Sequence, residues 1–259
     1  MKWLISLMLS ALVGAMACSP GAASSGGQPL PTITVAAAAD VQFAFEEIAP
    51  LFQKEKGVKV EFTFGSSGSL AQQVENGAPI DVFVSADEGY VTQLQTKGLI
   101  LDDTRQIYAF GHLVLVTNRA TGLDPKRLED LLRPDLKHVA MANPDVAPYG
   151  RAARQALTRA GFWDQIRPKL VYGENIRQTL QFVQTGNAEA GIVARSIANV
   201  PEVTSISVED SLYDPLQQGL AVIRGTPQEI ASREFVAFVN GPQGRSIMKK
   251  YGFTLPGES

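Results

Sequence analysis

Two apolar periods take turns along this chain from Thr32 onward, and that alternation limits the fold more than any other feature. "TITVAAAA" reads as a buried strand, after which Val41, Ala44, Phe45, Ile48 and Phe52 recur at helical spacing up to Gly57. "VKVEFTF" is a second strand, "SLAQQVENG" a helix ended by Gly77, and "IDVFVSA" a third strand followed by a helix to about Lys97. Strands separated by helices of this length give βαβ units and parallel sheets. The pattern resumes with "YAFGHLVLVTN", a run long enough to leave one lobe and enter another. "HVAMANP", a helix over 149–160, "KLVYG", a helix over 176–185, "AEAGIVA", "TSISV" and "LAVIR" follow. There is no internal repeat, although the two halves share the βα rhythm. The expected architecture is α/β, with two lobes of mostly parallel sheet flanked by helices and a cleft between them. Lobe 1 is expected to comprise residues 31–108 and 214–259, and lobe 2 residues 109–213.

The first seventeen residues differ in kind. Lys2, the apolar run "WLISLMLSALVGAMA" and small residues before Cys18 make an export signal over 1–17. The run is short for a transmembrane helix, which needs about twenty residues. Cys18 is the only cysteine, so no internal disulfide can form. Its position resembles a bacterial lipobox with Cys18 as the acylated residue, while Ala15-Met16-Ala17 also suits general signal peptidase. The lipoprotein reading is favoured because a lone exposed thiol is a liability. The Ser/Gly/Pro-rich stretch over 18–30 then reads as a flexible tether. The remaining composition, 45% hydrophobic and 19% charged with net charge −3, is that of a globular protein without a broad basic surface for nucleic acid.

In open parallel sheets, ligands sit at the carboxyl ends of strands, where helices begin. Four such junctions stand out: the end of the first strand at Asp40, "FGSSGS-LA", "APYG-RAA" around Tyr149, and "YGEN-IRQ". Each helix start offers free N–H groups and about half a positive charge. Several converging on one cleft would hold a small anion without lysine or arginine. Taken singly, Asp40, Ser69 and Asn175 each read as N-caps more readily than as ligand contacts, Asn175 with Gln178 and Thr226 with Glu229 form capping-box patterns, and Pro227 suits a first helical position. Periodicity therefore allows an anion cleft without requiring one.

"ITVAAAAD", "FTFGSSGSLAQQVENGAPIDVFVSAD", "HLVLVTN", "NPDVAPYGRAARQAL", "GENIRQTLQFVQTGNAEAGIV" and "GPQGRSIMKKYGF" occur in that order between about Ile33 and Phe253. Together they resemble the periplasmic molybdate-binding family, the solute receptors of molybdate ABC transporters. The resemblance implies a type II periplasmic binding protein fold closing on molybdate or tungstate. It also implies a membrane permease with a cytoplasmic ATPase as partner, a periplasmic or membrane-anchored location, a monomer, and no cofactor beyond the oxyanion. Ser67 falls where the family's loop serine donates hydroxyl and amide. Ile176 falls where a backbone N–H serves, and Tyr149 where the amide of a small residue is typical. Two positions depart: Asp40 replaces a serine at the end of the first strand, and Ala194 replaces a tyrosine after "GIV". Both changes remove a neutral donor.

An ionised Asp40 facing a dianion would be repelled by about 4 kcal/mol per charge pair at about 4 Å and an effective dielectric near 20. Either the carboxylate turns back to cap its helix at Phe43 or Ala44, the favoured reading, or the ligand brings a proton as hydrogen phosphate does. A phosphate-like or sulfate ligand is thus the alternative, and Tyr149 could supply the hydroxyl lost at Ala194. Arg151, Arg177 and Arg195 are expected to be solvated or paired with carboxylates. A serine hydrolase is the enzyme rival. "GSSGS" is not G-x-S-x-G, it lacks the Gly-Lys-Ser/Thr ending of a phosphate-binding loop, and only His112 or His138 could serve as base.

Overall fold

The computed structural model describes residues 30–258. The signal segment, Cys18 and most of the tether lie outside them. Strands β1 (Thr32–Ala38), β2 (Lys59–Gly65), β3 (Val82–Ser85) and β4 (Gln106–Gly111) join β10 (Leu216–Val222) in a sheet of order β2-β1-β3-β10-β4. Strands β5 (Leu113–Asn118), β6 (Val139–Ala142), β7 (Leu170–Gly173), β8 (Ala190–Ala194) and β9 (Val203–Ser207) form the second, of order β7-β6-β8-β5-β9. In each sheet four strands run one way, and the strand in fourth place, β10 or β5, runs antiparallel to both neighbours. The two orders match position for position, which is the structural counterpart of the shared rhythm.

The antiparallel strands are the ones that arrive from the other lobe. β4 leads through His112 directly into β5, and β9 leads through residues 208–215 into β10. His112 ties this crossing together, with Nδ1 3.1 Å from Asp210 Oδ1 and Nε2 2.8 Å from Thr254 Oγ1. The Tyr213 hydroxyl accepts the Leu113 N–H at 3.1 Å and bonds Asp210.

Helices cover both faces of the first sheet. β1 alternates Ile33, Val35 and Ala37 toward α1 (Gln42–Lys56) and α7 (Glu229–Asn240), and Ala36 toward α2 (Ser67–Glu75) and α3 (Glu88–Thr96). Both faces are buried, so the strand reads as a continuous apolar run. Phe45, Phe52 and Phe235 meet edge to face at 5.3 and 5.8 Å between centroids, an arrangement that adds about 0.5–1.5 kcal/mol per pair to the burial. In the second lobe α4 (Pro148–Arg159) and α6 (Ile176–Gln184) pack on β6 and β8.

Local signals at helix starts were only partly realised. α2 is capped by Ser66, not Ser69: the Ser66 hydroxyl accepts the Ser69 N–H at 3.4 Å, so the helix begins three residues earlier. Asn175 caps α6 as expected, accepting from Arg177 and Gln178 N–H at 3.0 Å, but Gln178 reaches back to Glu174 N–H at 2.6 Å and not to the cap residue. Thr226 does not cap α7. Its hydroxyl donates to buried Asp81 and accepts the Gln228 N–H at 3.0 Å, which shifts the helix start to Glu229.

Gly57 closes α1 in the left-handed region at φ 68°, its N–H bonded to Gln53 O at 2.9 Å. A Cβ there would meet nothing within 4 Å, so Gly57→Ala isolates the backbone cost of about 1–2 kcal/mol. The expected loss in urea unfolding is of that size, with an unchanged m-value.

Candidate functional site

The four strand-to-helix junctions converge. Asp40, Ser66, Ser67, Ala86, Tyr149 and Ile176, with the alanines ending β1 and the Ala147-Pro148 turn, line one cavity between the lobes. It has room for about one water-sized sphere, roughly 10 Å³. Ser67 and Ile176 are the first residues of α2 and α6, and Tyr149 the second of α4. Their N–H groups are therefore among those a helix leaves without an intrahelical acceptor. Ser67 is fully buried, and its Oγ accepts the Ala86 N–H at 2.9 Å. That bond uses a lone pair and leaves the hydroxyl proton available to an acceptor in the cavity. Such a ring of neutral donors can replace the hydration shell of a small anion.

Asp40 does not cap a helix, contrary to the favoured expectation. It lies inside a short 3₁₀ turn (Ala39–Val41) that precedes α1, and its side chain makes no cap hydrogen bond to Phe43 or Ala44. Its Oδ2 accepts instead from the Tyr149 hydroxyl at 3.0 Å and Gln218 Nε2 at 2.6 Å. Gln218 Nε2 also donates to the Tyr149 oxygen at 3.0 Å, and its Oε1 accepts from the Tyr108 hydroxyl at 2.7 Å. The other carboxyl oxygen, Oδ1, is buried without a hydrogen-bond partner. Burial pushes the Asp40 carboxyl up to about 7 against the pull of Gln218, Tyr149 and the nearby Asp40 and Val41 amides, which close no hydrogen bond on Oδ1. The Tyr149 phenol, raised by burial and by the adjacent carboxyl, stays neutral, and its one proton is committed to Asp40. It therefore does not stand in for a tyrosine at position 194.

Ala194 is not among the lining residues; it ends β8, fully buried in the core of the second lobe. Gln218 and Tyr108 were not anticipated. Each is an ordinary strand residue in sequence, and their partner Asp40 is distant along the chain. The one local hint is Gly111, where a Cβ would overlap the Tyr149 hydroxyl and lie 2.8 Å from Gln218 Nε2.

The lobes are in contact around the cavity. Gly68 N–H donates to Val146 O at 3.0 Å, and the Ser196 hydroxyl to Asp40 O at 2.7 Å. Arg151 pairs with Asp87, donates to the Tyr90 hydroxyl at 3.0 Å and lies 5.3 Å from that ring's centroid. The Arg177 guanidinium stacks 4.6 Å from the Phe43 centroid, and burial lowers its pKa. Arg195 bonds Ser207 Oγ at 3.2 Å. None of the three lines the cavity. Neither histidine is hydrogen-bonded to Ser67: His112 serves the crossing and His138 lies 3.8 Å from Glu189. Among the described residues no three His, Cys, Asp or Glu side chains group to hold a metal ion, and no helix is long and apolar enough to cross a membrane.

Two α/β lobes that exchange strands and enclose a cavity ringed by helix starts define a solute-binding protein of the type II periplasmic kind. The chain belongs to the bacterial extracellular solute-binding protein family, whose model matches residues 33–254; it is a binding protein and not an enzyme. It is 35% identical over 260 residues to the molybdate-binding protein ModA of Azotobacter vinelandii, covering 98% of this chain and 100% of that one. ModA of Escherichia coli (strain K12) is 36% identical over 232 residues, 86% of this chain and 89% of its own. The solved Azotobacter vinelandii periplasmic molybdate-binding protein superposes with a TM-score of 0.80 at 30% identity, over 86% of this chain and 99% of that one.

The folded-state pKa of Asp40 lies above its unfolded value of 3.8, so the folded protein binds the extra proton between about pH 4 and 7. The associated stability is complete below pH 4 and lost as pH rises through 7, at about 4 kcal/mol in all. Asp40→Asn should melt higher than wild type at about pH 8, with the gap closing as pH falls from about 7 to about 4 in a series of thermal melts. A Cβ on Gly68 would lie 2.8 Å from Val146 O and 2.7 Å from the Tyr90 hydroxyl. Gly68→Ala should hold the lobes apart, read as a larger radius of gyration in X-ray scattering.

Proposed function

We propose that this protein captures molybdate, or tungstate of the same charge and shape, outside the cytoplasmic membrane and passes it to the permease of an ABC importer driven by a cytoplasmic ATPase. The observation that carries this reading is the convergence of three helix starts and the Ser67 hydroxyl on one cavity between closed lobes. The ModA relatives, molybdate-binding by name, support the choice of ion. Ser67 would donate its hydroxyl and amide, and Tyr149 and Ile176 their amides. No cofactor takes part. Four oxygens around a metal need more room than one water, so the lobes must part about the crossing strands and close again on the ion. Closure is favoured because only the closed form presents donors from both lobes at once. The chain would act as a monomer, tethered through acylated Cys18 outside the described residues.

A dianion held by neutral donors owes its selectivity to cavity size, which separates molybdate and tungstate from the smaller sulfate. Melting curves with molybdate, tungstate, sulfate and phosphate test this directly. Binding to the folded form alone stabilises by about 4 kcal/mol at a thousandfold excess over Kd. The first two ions should raise the melting temperature and sulfate should not; a response to phosphate alone would overturn the choice of ion. Ser67→Ala should bind molybdate at least about tenfold more weakly by calorimetry, about 1.4 kcal/mol, while remaining folded.

A further inference from the structure

Among the residues that line the cavity, one side-chain oxygen has no hydrogen-bond partner. Asp40 Oδ1 is buried without a partner, on a residue that is 1% exposed and lines the cavity. Its twin Oδ2 receives donors only. Gln218 presents its amide N–H groups to Oδ2 and to the Tyr149 oxygen because its Oε1 is occupied by the Tyr108 hydroxyl, and Tyr149 passes its own proton on to Oδ2. When the carboxyl is neutral, its proton therefore belongs on Oδ1, the oxygen without another partner.

We propose that Asp40 is a ligand-contacting acid that binds the oxyanion in its neutral form, donating the Oδ1 proton to a ligand oxygen, so that each dianion enters together with one proton. The proposal rests on the oxyanion reading and extends it. It turns the apparent defect of the site, an acid where a neutral serine donor is expected, into a donor. An ionised Asp40 and a bare dianion repel, whereas a neutral carboxyl and a dianion form a charge-assisted hydrogen bond. The proton comes from solvent, and no bond other than this hydrogen bond is made or broken.

The surroundings supply no cation that would keep the carboxylate ionised. Among the described residues no lysine, arginine or histidine pairs with Asp40. The groups that face it are Tyr149 from α4, Tyr108 from β4 and Gln218 from β10, with the Asp40 and Val41 amides near the carboxyl and Ser196 on its backbone carbonyl. Both phenols are held neutral by burial. Other ionisable groups on the packed elements point elsewhere: Arg177 lies on Phe43, and Glu46, Glu47 and Arg195 line a separate open groove. A carboxyl poised at about 7 is half protonated near neutrality, so proton uptake on binding grows above that pH and vanishes below it. Hydrogen phosphate, which brings its own proton, would need no uptake from solvent.

The test is calorimetric titration of the full mature chain with molybdate at about pH 6 and about pH 8.5, each in two buffers of different ionisation enthalpy. Wild type should take up close to one proton per ion at the higher pH and far less at the lower. Its Kd should rise about tenfold per pH unit above neutrality. Asp40→Asn, which carries a fixed N–H donor at this position, should take up none, and at about pH 8.5 should bind about thirtyfold more tightly than wild type. Tight binding by wild type without proton uptake at about pH 8.5 would overturn the proposal, as would the same pH slope in Asp40→Asn. The proton count on wild type decides even if the variant folds poorly. Failure of molybdate, tungstate, sulfate and phosphate all to bind at about pH 6 would overturn the oxyanion reading itself, and this proposal with it.

Discussion

A carboxyl group buried between two halves of a protein has to be supplied with donors by both, and this requirement organises the centre of the molecule. Asp40 belongs to the turn that follows the first strand, Tyr149 to a helix of the second lobe, and Gln218 to the strand that returns from one to the other. Parting the lobes would take Tyr149 away and admit water, and both changes alter the energy of the charged form. Protonation and closure are thus linked in the thermodynamic sense: whichever state of the carboxyl the closed cavity prefers, closing favours that state and that state favours closing. Burial in the closed cavity raises the Asp40 pKa to about 7, which shifts the carboxyl toward its neutral form.

The exchanged strands make this coupling geometrically possible. β10 arrives from the second lobe and lies antiparallel between β3 and β4, which places buried Gln218 beside Tyr108 and behind the end of β1. The same crossing passes Gly111, whose missing side chain is what lets the Tyr149 hydroxyl approach the first sheet. His112, Asp210, Tyr213 and Thr254 bind the two crossing segments to each other, so movement of one lobe is carried to strands on both sides of the cavity.

Much of the fold was legible because it is written in local periodicity. The apolar runs and amphipathic stretches mark the strands and helices to within a few residues, and the unbroken run through His112 marks the passage between lobes. The cavity was legible in outline, since each strand-to-helix junction carries its own signature of small residues and cap formers. What those signatures cannot convey is direction. Asp40 before an amphipathic helix looks like a cap because a cap is the local use of an aspartate. Here its partners lie 109 and 178 residues away, and only the packing of one lobe on another selects them. Ser69 and Thr226 failed for a related reason. Ser66 has a better position one turn earlier, and Thr226 is drawn to Asp81, a contact spanning 145 residues.

The position of the arginines follows from the same economy of charge. Arg151 and Arg177 both bridge the lobes, one through Asp87 and Tyr90 and the other over the Phe43 ring, yet neither lines the cavity. A guanidinium inside would attract every dianion alike and would hold Asp40 ionised by its proximity, removing the proton that makes the acid a donor. Outside the cavity lining, the same groups hold the lobes together through a paired carboxylate and aromatic faces, contacts that make no distinction among ions. Discrimination is then left to the neutral donors and to the size of the space they enclose. A single buried acid fits such a site because its charge can be cancelled by a proton, which a fixed cation would prevent.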